Sequence, residues 1–164
     1  MKSLMAALVV LLLIPAAVSA GEPRPFDRGS WAELLASHRG QATIVHFWGL
    51  TCGPCLVELP EWGKLKENRP DADIVMIEVE PVPQPVSGLS GPLVKAGLEG
   101  TENWWFADPF VERLEYEVDP NWRGELPYTV LVGRDGTSES LLGPVNFADL
   151  GKWLDQQRDR ASSN

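Results

Sequence analysis

The chain has 164 residues, a length that suits one globular domain and leaves little room for two. Its composition, 44% hydrophobic and 23% charged, is that of an ordinary folded protein and excludes a disordered or fibrous one. The net charge of −9 argues against nucleic acid or an anionic lipid surface as a partner.

The N-terminal residues indicate export. Lys2 precedes an apolar run over 4–14, and the small residues that a signal peptidase reads follow at 18–20. We predict a signal peptide over 1–20, cleaved after Ala20, and a periplasmic location for the chain. An uncleaved N-terminal anchor is the alternative, although the apolar run is shorter than the roughly 20 residues that a bilayer span needs.

The rest of the chain predicts one domain over 30–160, preceded by a flexible leader over 21–29 and followed by a frayed C-terminus over 161–164. The first two predicted strands flank a helix and should therefore be parallel. The order of elements predicts an α/β fold with a central mixed β-sheet and helices on both faces. In chain order, the predicted elements are a helix at 31–37 capped by Ser30, a strand at 42–48, a helix at 56–67 kinked by Pro60, a strand at 73–79, a loop at 80–92, a short helix at 93–98, a strand at 103–106, a helix at 110–116, a hairpin of strands at 128–132 and 138–142, and a helix at 147–158.

Both cysteines lie in one motif, Cys52-Gly53-Pro54-Cys55, between a predicted strand and a predicted helix. Two cysteines this close cannot close a large loop, so they indicate chemistry rather than a structural crosslink. At a helix N-terminus, backbone N–H groups and the helix dipole stabilise a thiolate, so Cys52 should be the nucleophile. Cys55, one turn further, should be more buried and should attack a mixed disulfide on Cys52. Structural zinc generally needs four ligands, so no metal site is predicted.

The segment from Ile44 to Cys55 resembles the active-site segment of the thioredoxin superfamily. Pro60 matches the helix-kinking proline of that family, and Leu126-Pro127 before a strong strand resembles its cis-proline loop. Glu58 resembles the glutamate of the exported branch named for TlpA, ResA and CcmG. The likeness covers roughly residues 31–153, nearly the whole chain after the predicted signal peptide.

The resemblance implies the thioredoxin fold and a thiol–disulfide oxidoreductase whose catalytic pair is Cys52 and Cys55. The redox-active disulfide between them would need no other cofactor. Pro127 would be cis and lie against the dithiol, and Leu126 would offer its backbone to an extended substrate. The residues that would complete the substrate-binding region are Gly53, Pro54, Thr51 and Trp48, with Trp48 beneath the active-site loop.

Two further residues are catalytic candidates through the same resemblance. Glu58 would be a partly buried acid that tunes the cysteine pKa values or moves a proton, unless it is a solvated helix carboxylate. His46 stands where cytosolic thioredoxins carry a buried aspartate, and burial would keep the imidazole neutral. His46 would then relay a proton to Cys55 or only fill the space. Thr51 replaces the tryptophan that thioredoxins carry before the first cysteine, a position that shapes the recognition surface.

The leading hypothesis is a periplasmic, monomeric dithiol reductase of the TlpA, ResA and CcmG type. It would reduce disulfides in exported proteins, such as apocytochromes or copper-site assembly proteins, and a membrane electron donor would keep it reduced. One alternative is an oxidase or isomerase of the DsbA or DsbC kind, although the chain lacks room for their insertion or dimerisation domains. The other is a Cu(I)-binding protein that uses the cysteines and His46, since the remaining histidine, His38, is expected to be solvated.

Overall fold

The computed structural model describes residues 23–80, 88 and 90–162. The predicted signal peptide over 1–20 and most of the predicted loop over 80–92 lie outside these residues. In chain order, the elements are β1 (Arg24–Phe26), α1 (Ser30–Ser37), β2 (Thr43–Trp48), α2 (Gly53–Asn68), β3 (Asp73–Glu78), α3 (Ser90–Lys95), β4 (Glu102–Phe106), α4 (Val111–Val118), β5 (Tyr128–Val132), β6 (Ser138–Leu142) and α5 (Phe147–Ser162).

Within the described residues, the strands form one mixed sheet in the order β1-β4-β3-β2-β5-β6. The first four strands of that order pair in parallel, whereas β5 is antiparallel to both β2 and β6. The parallel pairing of β2 with β3 confirms the prediction made from the strand–helix–strand pattern. None of the helices in the described part of the chain is long and apolar enough to cross a lipid bilayer.

The helices cover both faces of the sheet, as predicted. Successive side chains of a strand point to opposite faces, and those of β2 divide between two buried clusters. Val45 and Phe47 belong to the cluster that contains Leu114 of α4. Ile44 and Trp48 belong to the other cluster, which contains residues of α2 and α5. Because β2 is buried on both faces, it reads as a continuous apolar run rather than as an alternation.

The predicted flexible leader over 21–29 is wrong for Arg24–Phe26, which form β1 parallel to β4. Phe26 is fully buried and stacks on Phe106 with the ring centroids 5.2 Å apart. Pro25 donates no backbone hydrogen bond, which an outermost strand of the described sheet tolerates. A three-residue strand is too short to show an alternating pattern, so the sequence alone did not reveal it.

Several predicted helix ends differ from the observed ones. Ser30 is not the cap of α1 but its first residue, and its hydroxyl instead bonds with Asp27. The short helix α3 begins at Ser90 rather than at 93. Helix α5 continues to Ser162, so the fraying predicted from 161 is absent there, while 163–164 lie outside the described residues.

Helix α3 packs closely on α2, the helix that carries the cysteines. The carbonyl oxygen of Ala96 approaches Gly63 so closely that a Cβ atom at this glycine would collide with it. Glycine at 63 therefore permits the contact between the end of α3 and the middle of α2.

Candidate active site

The loop that precedes the cysteine-bearing helix α2, residues 49–52, leaves the sheet at the C-terminal end of β2 and is called the reactive loop below. A turn follows Trp48, and in it the backbone N–H of Cys52 donates a hydrogen bond of 3.2 Å to the carbonyl of Gly49. Cys52 has an extended backbone conformation and is the N-cap residue of α2. Pro54 occupies the first turn of the helix, where its missing N–H costs nothing. The strand and the turn thus place Cys52 at a helix N-terminus, as predicted.

Cys52 and Cys55 are joined by a disulfide bond with an S–S distance of 2.02 Å. The backbone N–H of Cys55 also donates to the Sγ atom of Cys52 at 3.2 Å. Cys52 is partly exposed, whereas Cys55 is completely buried, which confirms the predicted difference between them. The first cysteine therefore has contact with solvent, whereas the second has none.

The predicted substrate-binding residues fall into two groups. Thr51, Gly53 and Pro54 are exposed around the disulfide, and Leu126 is partly exposed. Trp48, in contrast, is only 1% exposed, so it supports the loop from below and cannot contact a substrate directly. The structure therefore places Trp48 beneath the loop, as expected, and not among the residues that a substrate can contact.

The peptide bond between Leu126 and Pro127 is cis, which confirms the prediction for this pair. Pro127 is buried and precedes β5 at the end where Tyr128 pairs with Phe47 of β2. Its carbonyl accepts a hydrogen bond of 2.8 Å from the backbone N–H of Gly143. The cis-proline loop is therefore fixed to the segment after β6, at the same end of the sheet as the cysteines.

Glu58 is buried beneath the reactive loop, so its alternative as a solvated helix carboxylate is wrong. Three residues after Cys55, it lies on the same face of α2. The side chain is 6% exposed, and its Oε1 accepts a hydrogen bond of 2.8 Å from the backbone N–H of Val145. Burial raises the pKa of this carboxyl, and the bond from Val145 opposes that shift only in part.

His46 lies beside Glu58 on the same face of the sheet. It is completely buried, its ring is 4.5 Å from that of Trp62, and its Nδ1 is 2.9 Å from the hydroxyl of Thr129. Burial lowers the pKa of the imidazole to about 3, so the ring is neutral, as expected. Its Nε2 lies 4.0 Å from the Oε2 of Glu58. Neither of these two atoms has a hydrogen-bond partner among the described residues.

Two acidic residues at the end of β3 also belong to the site, and the sequence analysis missed them. Glu80 accepts hydrogen bonds from the backbone N–H and the hydroxyl of Thr51, the residue before Cys52. Glu78 is 3% exposed, lies opposite Trp48 in the sheet, and accepts a hydrogen bond from the N–H of Glu80. Burial, with the neighbouring charge of Glu80, raises the pKa of Glu78 to about 7. The signal in the sequence was a glutamate that directly follows the apolar run 74–77 of β3.

His38 lies at the opposite end of the sheet and is not solvated, so that expectation was wrong. Its Nδ1 is 2.6 Å from the carboxylate of Asp73 and its Nε2 is 3.1 Å from that of Glu102. These two bonds raise the pKa of His38 to about 9. Asp73 begins β3, whereas Cys52 follows the end of the neighbouring parallel strand. His38 therefore does not join the cysteines in a metal site.

The chain resembles known proteins in sequence and in fold. No protein-family model matches the chain. The sporulation thiol-disulfide oxidoreductase A of Bacillus subtilis is 22% identical over 136 residues, which cover 76% of this chain and 73% of that protein.

Solved structures resemble the chain over most of its length. A secreted Mycobacterium tuberculosis disulfide oxidoreductase homologous to E. coli DsbE has a TM-score of 0.59 and 22% identity, covering 74% of this chain and 85% of that one. A secreted thiol-disulfide isomerase from Corynebacterium glutamicum has a TM-score of 0.61 and 17% identity, covering 76% and 75%. StoA from Bacillus subtilis has a TM-score of 0.53 and 23% identity, covering 70% and 83%. The chain thus has the thioredoxin fold, carries a disulfide-linked Cys-x-x-Cys pair at the N-terminus of α2, and is similar to thiol–disulfide oxidoreductases.

Proposed function

We propose that the chain is an exported dithiol reductase that acts on disulfides of other exported proteins. The observation that carries this proposal is the asymmetry of the disulfide, with Cys52 accessible at a helix N-terminus and Cys55 buried behind it. A cysteine in the first position is suited to attack a partner, and one in the second position is suited to release it. Dithiol exchange is also what the names of the similar proteins describe.

The exchange proceeds in two balanced steps. In the reduced protein, the Cys52 thiolate attacks one sulfur of a substrate disulfide, whose S–S bond breaks as the other substrate sulfur leaves as a thiolate. The resulting mixed disulfide joins Cys52 to the substrate. The Cys55 thiol then loses its proton and attacks the Cys52 sulfur, which releases the second substrate sulfur. The substrate gains two electrons, and the protein is left with the Cys52–Cys55 disulfide.

The second step requires a proton acceptor for Cys55, which has no contact with solvent. Glu58 is the acceptor in this proposal, because it is buried on the same helical face and its raised pKa brings it closer to that of a thiol. The ring of His46, which is held by its hydrogen bond with Thr129, lies next to the Oε2 atom of Glu58. Substitution of Glu58 should therefore slow the resolution step more than the initial attack.

Export and electron supply complete the proposal. The predicted signal peptide supports export, and two of the similar solved proteins are described as secreted. A periplasmic membrane donor of electrons would return the Cys52–Cys55 disulfide to the dithiol after each cycle. Apocytochromes and copper-site assembly proteins are the proposed substrates, because their metal-binding cysteines must be reduced before they take up a metal or haem.

The direction of electron flow is tested by the reduction potential of the purified protein, equilibrated in defined thiol buffers. We expect a value near that of thioredoxin, about −270 mV. A value near that of DsbA, about −120 mV, would contradict the reductase and make the protein a disulfide donor. Efficient reshuffling of a scrambled substrate would instead indicate an isomerase.

The separate roles of the two cysteines, attack by Cys52 and resolution by Cys55, are tested with two matched variants. Cys55→Ser should accumulate a mixed disulfide on Cys52, which a non-reducing gel displays, added reductant removes and mass spectrometry identifies. Cys52→Ser should form no such adduct and should not reduce insulin. If Cys52→Ser retains full insulin-reduction activity, the mechanism proposed above is wrong.

A further inference from the structure

We propose that Glu80 is a positioning residue for the reactive cysteine, because its carboxylate holds the turn from Gly49 to Cys52 through Thr51. The inference rests on the proposed function and deepens it. It assigns a role to a side chain that lies outside the Cys-x-x-Cys motif and the helix that follows it.

The contact itself is twofold. One oxygen of Glu80, Oε1, lies 2.5 Å from the backbone nitrogen of Thr51 and 2.6 Å from its hydroxyl. Thr51 is exposed, so its side chain would otherwise be free to rotate in water. The residue immediately before Cys52 is therefore fixed in both its backbone and its side chain.

The loop is shaped to admit this carboxylate. A Cβ atom at Gly49 would lie 2.5 Å from the Oε1 atom of Glu80 and 2.8 Å from its Cγ. Any other residue at this position would displace the glutamate. The same glycine supplies the carbonyl that accepts the N–H of Cys52 and closes the turn. Gly49, Thr51 and Glu80 thus form one arrangement that ends at the nucleophile.

Glu80 is itself held by the end of the sheet. The backbone N–H of Val79 donates to the carbonyl of Trp48 at 3.0 Å, which ties the segment after β3 to the end of β2. The N–H of Glu80 donates to the buried carboxyl of Glu78, also at 3.0 Å. The glutamate therefore reaches the reactive loop from a fixed point, which is what a positioning role requires.

Three variants separate positioning from charge and from stability. Glu80→Gln keeps an acceptor oxygen for Thr51 and loses the charge, whereas Glu80→Ala loses both. Glu139→Ala removes an exposed acid of β6 and serves as the control. The assays are the kcat/KM for insulin reduction, the pH profile of Cys52 alkylation by iodoacetamide, and the melting temperature of each oxidised protein.

We expect Glu80→Ala to lower kcat/KM by about tenfold, because small misplacements of a reacting group are costly. It should also alter the alkylation profile, while Glu80→Gln stays within about twofold of the unaltered protein and the Glu139 variant is unchanged. Equal activity of Glu80→Ala and the unaltered protein would overturn the proposal. An equal loss in the Gln and Ala variants would also overturn it, since charge alone would then account for the effect.

A second pair of variants keeps the test decisive if Glu80→Ala does not fold. Thr51→Val removes only the hydroxyl donor, and Thr51→Ser restores it. We expect an intermediate loss of kcat/KM in the valine variant and recovery in the serine variant; no difference between them would contradict the proposal. If the unaltered protein itself fails to reduce insulin, the proposed function fails, and that outcome is distinct from a failure of the role of Glu80.

Discussion

His38 should make the stability of the protein fall as the pH rises through about 9. Its side chain is 11% exposed and bridges Asp73 and Glu102, so it joins the end of α1 to β3 and β4. Those carboxylates raise the pKa of His38 from 6.5 to about 9. A group whose native pKa lies above its unfolded value stabilises the fold fully below the unfolded pKa. That stabilisation is lost as the pH rises through the native pKa.

The size of the effect follows from the same shift. A pKa raised from 6.5 to about 9 corresponds to at most about 3 kcal/mol of stability. The two carboxylates are 25% and 29% exposed, so solvent screening reduces this ceiling. We therefore expect charged His38 to contribute about 2 kcal/mol to the free energy of unfolding below pH 6.5, and this contribution to vanish near pH 10.

The assay is urea unfolding of the oxidised protein and of His38→Gln, each at about pH 6 and about pH 10. Between about pH 6 and about pH 10, the free energy of unfolding of the unaltered protein should fall by about 2 kcal/mol more than that of the variant, because the other titrating groups are common to both. Asp71→Asn, which removes an exposed carboxylate paired with Arg69, serves as the control. Parallel stability curves for the unaltered protein and His38→Gln would refute the reasoning, as would a histidine that titrates near 6.5 by NMR.

Three further predictions concern burial and packing. Because burial raises the pKa of Glu58, its ionised form destabilises the fold, so Glu58→Gln should raise the melting temperature at pH 8 and change it less at pH 4. Gly63→Ala should cost about 1–3 kcal/mol in urea unfolding, since its Cβ would collide with the carbonyl of Ala96. The control Gly151→Ala meets no atom of the described residues within 4 Å, and should be neutral or slightly stabilising. Phe26→Ala should cost about 3–5 kcal/mol, and a smaller loss in urea unfolding would contradict the packing of β1.

The fold and the cysteine pair could be predicted because their signals are local. An apolar run, a Cys-x-x-Cys motif and a helix follow one another directly, and that order alone places Cys52 at a helix N-terminus. The antiparallel hairpin of β5 and β6 is likewise contained in one short stretch with its turn at 134–136. Such patterns can be recognised in the sequence because residues close together in the chain determine them.

Contacts between distant segments could not be predicted in the same way. His38 looks like a solvated residue at a helix end, and only the sheet brings Asp73 and Glu102 to its two nitrogens. Glu80 follows Thr51 by 29 positions, and their contact depends on the parallel register of β2 and β3. The pairing of β1 with β4 joins segments that are even further apart in the chain, and a strand of three residues has too short a pattern to predict it.

The surroundings of His46 favour one of the two roles that the sequence analysis leaves open for it, a proton relay or a space-filling ring. A base accepts a proton efficiently when its pKa is close to the working pH. The lowered pKa of His46, about 3, makes this ring a poor acceptor for a thiol proton. The raised pKa of Glu58 makes the carboxylate the better match. We infer that His46 is a neutral ring, held by its hydrogen bond with Thr129, that shields Glu58 from solvent. In this inference Glu58, and not His46, accepts the proton of Cys55.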